Sequence, residues 1–156
     1  MIGERAAAIG RRRLLQAGAS GLAVLVMPAA AVARPTLDEA IRNFTDGAPV
    51  QEGRVMLTIP PLVENGNAVG VTLAAESPMT PDDHVRRMAL FNEKNPQADV
   101  AVFHLTPRSG RATVATRIRL ATSQTVVAIA EMSDGSFWSS KASVIVTLAA
   151  CIEDLS

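Results

Sequence analysis

The sequence predicts an all-β protein, a two-sheet sandwich of the immunoglobulin-like type, preceded by one short helix. After Pro49, apolar residues recur mainly at every second position, the period of a strand with one buried face. Seven such runs are separated by turn residues, with no helical pattern between them. Aromatic residues make up only 3% of the chain, so the core must be built from aliphatic side chains and methionine.

Residues 1–33 are typical of an export signal rather than of the fold. Residues 10–16 hold an arginine pair, a further arginine and two leucines, which is the twin-arginine pattern; general secretion is the alternative route. The apolar stretch that follows is short and rich in alanine and glycine, so we expect no stable membrane anchor. Ala31-Val32-Ala33 has the small residues of a cleavage site. We therefore expect cleavage near Ala33 and a location in the periplasm.

The first element of the mature chain is a helix predicted over Thr36–Asp46. Thr36 can cap its N-terminus, and Glu39, three positions later, completes a capping box. Gly47 ends the helix. Its apolar face carries residues at i, i+4 and i+7 spacing, namely Leu37, Ile41 and Phe44.

The seven predicted strands follow in order, with prolines confined to the segments between them. Asn65-Gly66-Asn67 and Asp134-Gly135 are tight-turn signals. The last strand has apolar residues on both faces over Val144–Leu148, which predicts either burial on both sides or a partner chain. The strands are Arg54–Ile59, Ala68–Glu76, Val85–Asn92, Val100–Thr106, Thr113–Leu120, Thr125–Glu131 and Phe137–Leu148.

The charge balance excludes a nucleic-acid binder. The whole chain has a formal net charge of zero. Removal of an arginine-rich leader leaves a slightly acidic mature chain, which does not attract a polyanion. The scarcity of aromatic residues also leaves little with which to stack bases.

The chain contains one cysteine, Cys151. An odd cysteine in an exported protein indicates an intermolecular bond or a free reactive thiol. Its position after the last predicted strand is compatible with a thiol displayed for modification. The alternative is a small apolar side chain in the core, because free cysteine is often buried. Export favours the reactive thiol, because an unpaired thiol meets oxidants outside the cytoplasm.

His84 and His104, the only histidines, do not form a metal-binding pattern. Asp82-Asp83-His84 has suitable ligand atoms but lies in a turn flanked by prolines, where aspartate favours local hydrogen bonds. We therefore expect no metal and no catalytic residue. His104 could in principle reach Cys151 in space, but strand alternation places it opposite its apolar neighbours, toward solvent or an interface.

Four arginines between Thr106 and Leu120 form a basic cluster in the sequence. They could dock an anion or a partner, or they could simply lie on a solvated sheet face. These residues are Arg108, Arg111, Arg117 and Arg119.

Several short segments, taken in order along nearly the whole chain, resemble SoxY, the sulfur-carrier family of thiosulfate oxidation. Together with the leader and the late cysteine they are specific, although each is weak alone. The segments are Glu64–Val69, Glu76–Thr80, Val102–Pro107, Gly110–Ala112, Thr116–Leu120 and Ala130–Phe137.

The resemblance implies a carrier rather than an enzyme. It implies an immunoglobulin-like sandwich that pairs with a second small β-protein, SoxZ, and a C-terminal arm on which Cys151 carries sulfur covalently. A haem enzyme would attach thiosulfate, a hydrolase would release sulfate, and other periplasmic enzymes would oxidise the remaining sulfur. No cofactor is implied beyond the sulfur intermediate itself. The expected organisation is a signal peptide over 1–33, a helix and sandwich over 34–148, and an arm over 149–156.

The arm departs from the family pattern, Gly-Gly-Cys-Gly-Gly. Here Ala149 and Ala150 precede the cysteine, and Ile152-Glu153-Asp154-Leu155-Ser156 follows it. Alanine and isoleucine are stiffer and wider than glycine, and the acidic residues repel an anionic adduct. The alternative function is therefore a partner-docking or scaffold sandwich of the same pathway, with an inert cysteine.

Overall fold

The structure, a computed structural model, describes residues 35–148. The expectations for the leader and for the arm, Cys151 included, lie outside these residues. The all-β prediction is confirmed, and no helix in residues 35–148 is long and apolar enough to cross a membrane. The elements are α1 (Leu37–Thr45), β1 (Val50–Glu52), β2 (Val55–Thr58), β3 (Leu62–Asn65), β4 (Val69–Ala75), β5 (Val85–Asn92), β6 (Asp99–His104), a 3₁₀ turn (Pro107–Ser109), β7 (Thr113–Ile118), β8 (Gln124–Met132) and β9 (Phe137–Leu148).

Helix α1 has the predicted capping box. The Thr36 backbone N–H donates to Glu39 Oε2 at 2.8 Å, and the Glu39 N–H donates to Thr36 Oγ1 at 3.3 Å. At the other end Asp46 adopts the left-handed conformation with φ 52° just before Gly47. The predicted apolar face packs on the sheet, and Ala40 adds a further buried side chain to it.

The strands form two sheets. The larger has the order β1-β9-β8-β5-β6, with β3 also paired to β9, and the smaller has the order β2-β4-β7. The principal core lies between the sheets; it contains Leu73 and Ile118 from the smaller sheet and Met88, Ala128 and Val144 from the larger. Burial of this apolar surface is the main stabilising contribution to the fold.

A second core lies on the other face of the larger sheet, where α1 packs. Phe44 of the helix makes edge-to-face contacts with Phe91 and Phe137, at centroid distances of 5.7 and 6.0 Å. The helix therefore covers the part of the sheet that contains the start of β9, and the later part of this face stays open.

Two short strands, β1 and β3, were missed by the sequence prediction. Both run parallel to β9, and β1 pairs with its first residues whereas β3 pairs with its last. They are three and four residues long, too short for an alternation pattern. β3 directly follows Pro60-Pro61, which the prediction placed between strands, but the Pro61 carbonyl accepts the Ile145 N–H at 2.9 Å.

The prediction that the end of β9 could be buried on both sides is wrong for this chain. Val144 is buried, whereas Ile145 and Leu148 are exposed. By strand alternation Ile145 is on the outer face, with Ser143 and Thr147, whereas Leu148 is at the end of the row that faces the core. Ile145 therefore has no cover from residues 35–148, and the predicted alternative of a partner chain is the one that stays open.

Candidate functional site

The end of β9 is the point from which the chain continues toward Cys151, and it is well anchored. The Leu148 carbonyl accepts the Gly66 N–H at 2.9 Å, and Thr147 Oγ1 donates to the Glu64 carbonyl at 3.1 Å. On the opposite side, the Val146 N–H donates to Ser123 Oγ at 2.9 Å. The last described residues therefore form a fixed base for the arm.

A cluster of side-chain amides stiffens the same end of the sandwich. Asn95 Oδ1 accepts hydrogen bonds from Gln124 Nε2 at 2.8 Å and from the Ala121 N–H at 2.9 Å. Asn95 Nδ2 donates to the Arg119 carbonyl at 2.8 Å, and Gln124 Oε1 accepts the Lys94 N–H at 2.8 Å. This amide cluster was not predicted, because its members are far apart in the sequence and carry no motif.

Cys151 comes three residues after Leu148 in the sequence. Three residues span at most about 11 Å, so the base of β9 limits the region that the thiol can reach. Cys151 lies outside the described residues, so its predicted role stays a prediction.

The four arginines of the basic cluster do not lie together. Arg108 and Arg111 precede β7, whereas Arg117 and Arg119 lie at its far end, about 20 Å away along the strand. All four side chains are exposed. Arg117 is paired with Gly70 in the smaller sheet. The interpretation as separate solvated positions fits this geometry better than a single anion-docking cluster.

His84 lies in the predicted turn, but the local hydrogen bonds differ from those expected. Hydroxyl groups, not the aspartate carboxylates, make them: Ser133 Oγ accepts the His84 N–H at 3.1 Å, and Thr80 Oγ1 accepts the Asp83 N–H at 3.1 Å. Within residues 35–148 no three histidine, cysteine, aspartate or glutamate side chains are grouped closely enough to hold a metal ion.

His104 is exposed, as strand alternation predicts. Across the larger sheet, His104 of β6 is paired with Arg87 of β5, and Arg87 is paired with Glu131 of β8. Glu131 is paired in turn with Phe137, at the start of β9. Leu148 is at the other end of β9, about 36 Å along the strand. His104 is therefore too far from the base of the arm to act on the thiol of Cys151.

The structure instead brings the two histidines to one pocket of about 570 Å³, which also contains charged groups that sequence reasoning missed. Glu131 is buried there between two guanidinium groups: Arg86 Nη1 lies 3.1 Å from Glu131 Oε1, and Arg87 Nε bonds to Glu131 Oε2. Arg87 also stacks on the Phe44 ring at 4.5 Å. The adjacent Arg86-Arg87 pair was the one available sequence signal for this group.

Comparison with known families gives one match, to the family described as sulfur oxidation protein SoxY, over residues 41–151. This range is well over half of the chain, and its last residue is the cysteine. Comparison with curated proteins gives no match.

Among solved structures, the chain is similar to the sulfur carrier protein SoxY from Chlorobium limicola f thiosulfatophilum, with 28% identity and a TM-score of 0.61, covering 71% of this chain and 91% of that one. It is also similar to superoxide reductase (neelaredoxin) from Ignicoccus hospitalis, with 15% identity and a TM-score of 0.55, covering 74% of this chain and 90% of that one. Superoxide reductase from Nanoarchaeum equitans has 12% identity and a TM-score of 0.53, covering 62% and 100%. The last two likenesses concern the fold alone.

Proposed function

Because the chain belongs to the SoxY family of sulfur oxidation proteins, we propose that it carries sulfur intermediates of thiosulfate oxidation covalently on Cys151. The observation that carries the proposal is that the family match extends to the only cysteine of the chain, three residues beyond the anchored end of β9. The protein acts as a carrier of substrate and not as an enzyme.

The chemistry requires only a thiolate that other proteins can reach. In the attachment step the thiolate sulfur bonds to the outer sulfur of thiosulfate, and the two electrons released pass to a haem enzyme. Hydrolysis then breaks the bond between sulfur and the sulfonate group, which releases sulfate and protons and leaves a persulfide on Cys151. The twin-arginine leader, cleaved near Ala33, delivers the folded protein to the periplasm where these steps occur.

Intact-mass analysis of the protein purified from its own periplasm tests the carrier role. We expect mass increments on the chain that change when thiosulfate is supplied and that are absent from the Cys151→Ser variant. A thiol that stays unmodified during growth on thiosulfate contradicts the proposal and favours the alternative, a docking or scaffold sandwich with an inert cysteine.

We further propose that a SoxZ-like β-protein is the partner, and that it covers the open face near the end of β9. Leu62 and Ile145 are cross-strand neighbours on this face and are 58% and 59% exposed. Val63 and Val146, their neighbours in sequence, point into the core instead. Adjacent large apolar side chains exposed on one sheet face are typical of an interface.

Co-purification of the two proteins tests this surface. Ile145→Glu places a charge within the proposed interface and is expected to weaken the pair at least about tenfold. Met56→Glu is the matched control, because Met56 is 65% exposed on the smaller sheet. Equal effects of the two variants contradict this location of the interface.

A further inference from the structure

A β-bulge gives the pocket between β5, β6 and β8 a geometry that regular strands do not allow. Side chains of consecutive strand residues point to opposite faces. The register of β5 against β8 shifts between Val85 and Arg87, so Arg86 is an additional residue and its side chain reaches the same carboxylate as that of Arg87. Bulges of this kind often redirect a side chain into a binding site.

The buried carboxylate fixes both guanidinium groups before any ligand arrives. The Glu131 side chain is only 8% exposed; it forms an ion pair with Arg86 and accepts a hydrogen bond from Arg87 Nε. Arg87 is held further by its contacts with Phe44, whose carbonyl accepts from Arg87 Nη2 at 3.3 Å. The Arg86 side chain is 57% exposed and makes no side-chain hydrogen bond within residues 35–148 beyond its ion pair with Glu131, so most of its donors are available at the pocket.

The two histidines supply further donors to the same pocket. His84 Nδ1 is buried and has no hydrogen-bond partner within the described part of the chain. His104 lies on the rim, beside Arg87 in the sheet. A buried ring nitrogen without a partner is costly, and a ligand that accepts a hydrogen bond there removes the cost.

The pocket also contains acidic groups. Glu131 is paired with both arginines, and Asp46 lies on the lining. The remaining N–H groups of the exposed Arg86 side chain are therefore the main charged donors open to an anion.

We propose that this pocket is a binding site for a small divalent oxyanion of the sulfate and thiosulfate class, held by Arg86, His84 and His104. The planar guanidinium group and the imidazole N–H groups match the several oxygen acceptors of such an ion. The pocket and the base of the arm are at opposite ends of β9. The site is therefore separate from Cys151 and does not depend on the carrier role.

Histidine NMR on the full chain tests the proposal, and the Cys151→Ser background removes any reaction at the thiol. The chain has only two histidines, so His104→Gln assigns both signals. We expect sulfate or thiosulfate, in separate titrations, to shift both signals saturably, whereas chloride at matched ionic strength does not. The ion that binds with the lower Kd is identified as the natural ligand.

Arg86→Gln is expected to weaken oxyanion binding about tenfold or more, because it removes a charge-assisted donor. Arg117→Gln is the matched control, an exposed arginine on the other sheet, and should leave the affinity unchanged. The proposal is overturned if the histidine signals follow ionic strength alone, or if the two arginine variants behave alike. Because the measurement uses Cys151→Ser, its outcome is independent of whether sulfur is carried on the thiol.

Discussion

Among residues 35–148, Glu131 is the one charged residue that is buried. A buried carboxylate is tolerated only when it is paired, and here a guanidinium group lies on each oxygen. The planar head of Arg87 also packs against α1, where it stacks on Phe44. A single acidic residue therefore links the helix, the bulge and the proposed oxyanion pocket.

Glu131→Gln should lower the free energy of unfolding by about 2 kcal/mol, because it removes the charge that both arginines face while each remains partly solvated. Urea denaturation measures this change. The matched control is Glu52→Gln, since Glu52 forms an exposed ion pair with Lys141 at 3.4 Å; its loss should cost less than about 0.5 kcal/mol. Equal losses of stability in the two variants contradict the argument that the buried ion pairs of Glu131 contribute more than the exposed pair of Glu52.

The N-terminal cap of α1 should be sensitive to both mutation and pH. Thr36→Ala is expected to destabilise the protein by about 1 kcal/mol. The hydrogen bond from the Thr36 backbone N–H, followed by that from its hydroxyl, lowers the pKa of Glu39 from its ordinary value of 4.5. The ionised form therefore stabilises the fold above pH 4.5, and this contribution is lost as the pH falls through the lowered pKa.

Urea denaturation as a function of pH checks the sign. The stability difference between the natural protein and Glu39→Gln should be constant near neutral pH and should shrink below pH 4.5. Asp38→Asn, in the same first turn, is the control. A stability difference that grows as the pH falls contradicts the stabilising contact between the ionised Glu39 and Thr36.

At the scale of elements, β9 organises the larger sheet. It pairs antiparallel with β8 along most of its length and parallel with β1 and β3 in succession. These two short strands cover both ends of that edge of β9 and leave only residues 140–144 without a strand partner there, which limits edge-to-edge aggregation. The arm continues directly from this doubly bordered strand.

Ser123→Ala should loosen the end of β9, because Ser123 Oγ accepts the Val146 N–H on the side away from β3. Amide hydrogen exchange at Val146 is expected to become at least about fivefold faster, which corresponds to the loss of one hydrogen bond. Ser143→Ala, exposed on the same strand, serves as the control and should leave exchange unchanged. Unchanged exchange in both variants shows that the serine does not hold the strand.

At the scale of the whole molecule, the arm base and the oxyanion pocket are at opposite ends of the sandwich. Substitutions at the two places share no contacts, so their effects should add. In the proposed carrier role, an enzyme must accept the thiol of Cys151 together with the residues that follow it in the sequence, Ile152, Glu153 and Asp154.

Deletion of residues 152–156, or replacement of the residues next to Cys151 by glycine, should speed thiosulfate attachment to the thiol. A thinner and more adaptable chain enters a narrow active site more easily, and loss of the two acidic residues removes repulsion of an anionic substrate. Rates of mass gain with the isolated haem enzyme measure this effect. Glu64→Gln, which removes one acid from β3, is the control; unchanged rates in the shortened chain contradict the steric argument.

Local patterns in the sequence were sufficient for the helix with its cap, for seven of the nine strands and for the sandwich class, because capping and period-two alternation are properties of neighbouring residues. The family resemblance, carried by ordered segments, was likewise visible in the sequence and is confirmed. Tertiary structure alone decided the pairing of β1 and β3 with β9, the separation of the four arginines and the meeting of His84, His104 and Glu131. These features join residues that are distant in the chain, and a bulge or a parallel pairing depends on the partner strand rather than on the local sequence.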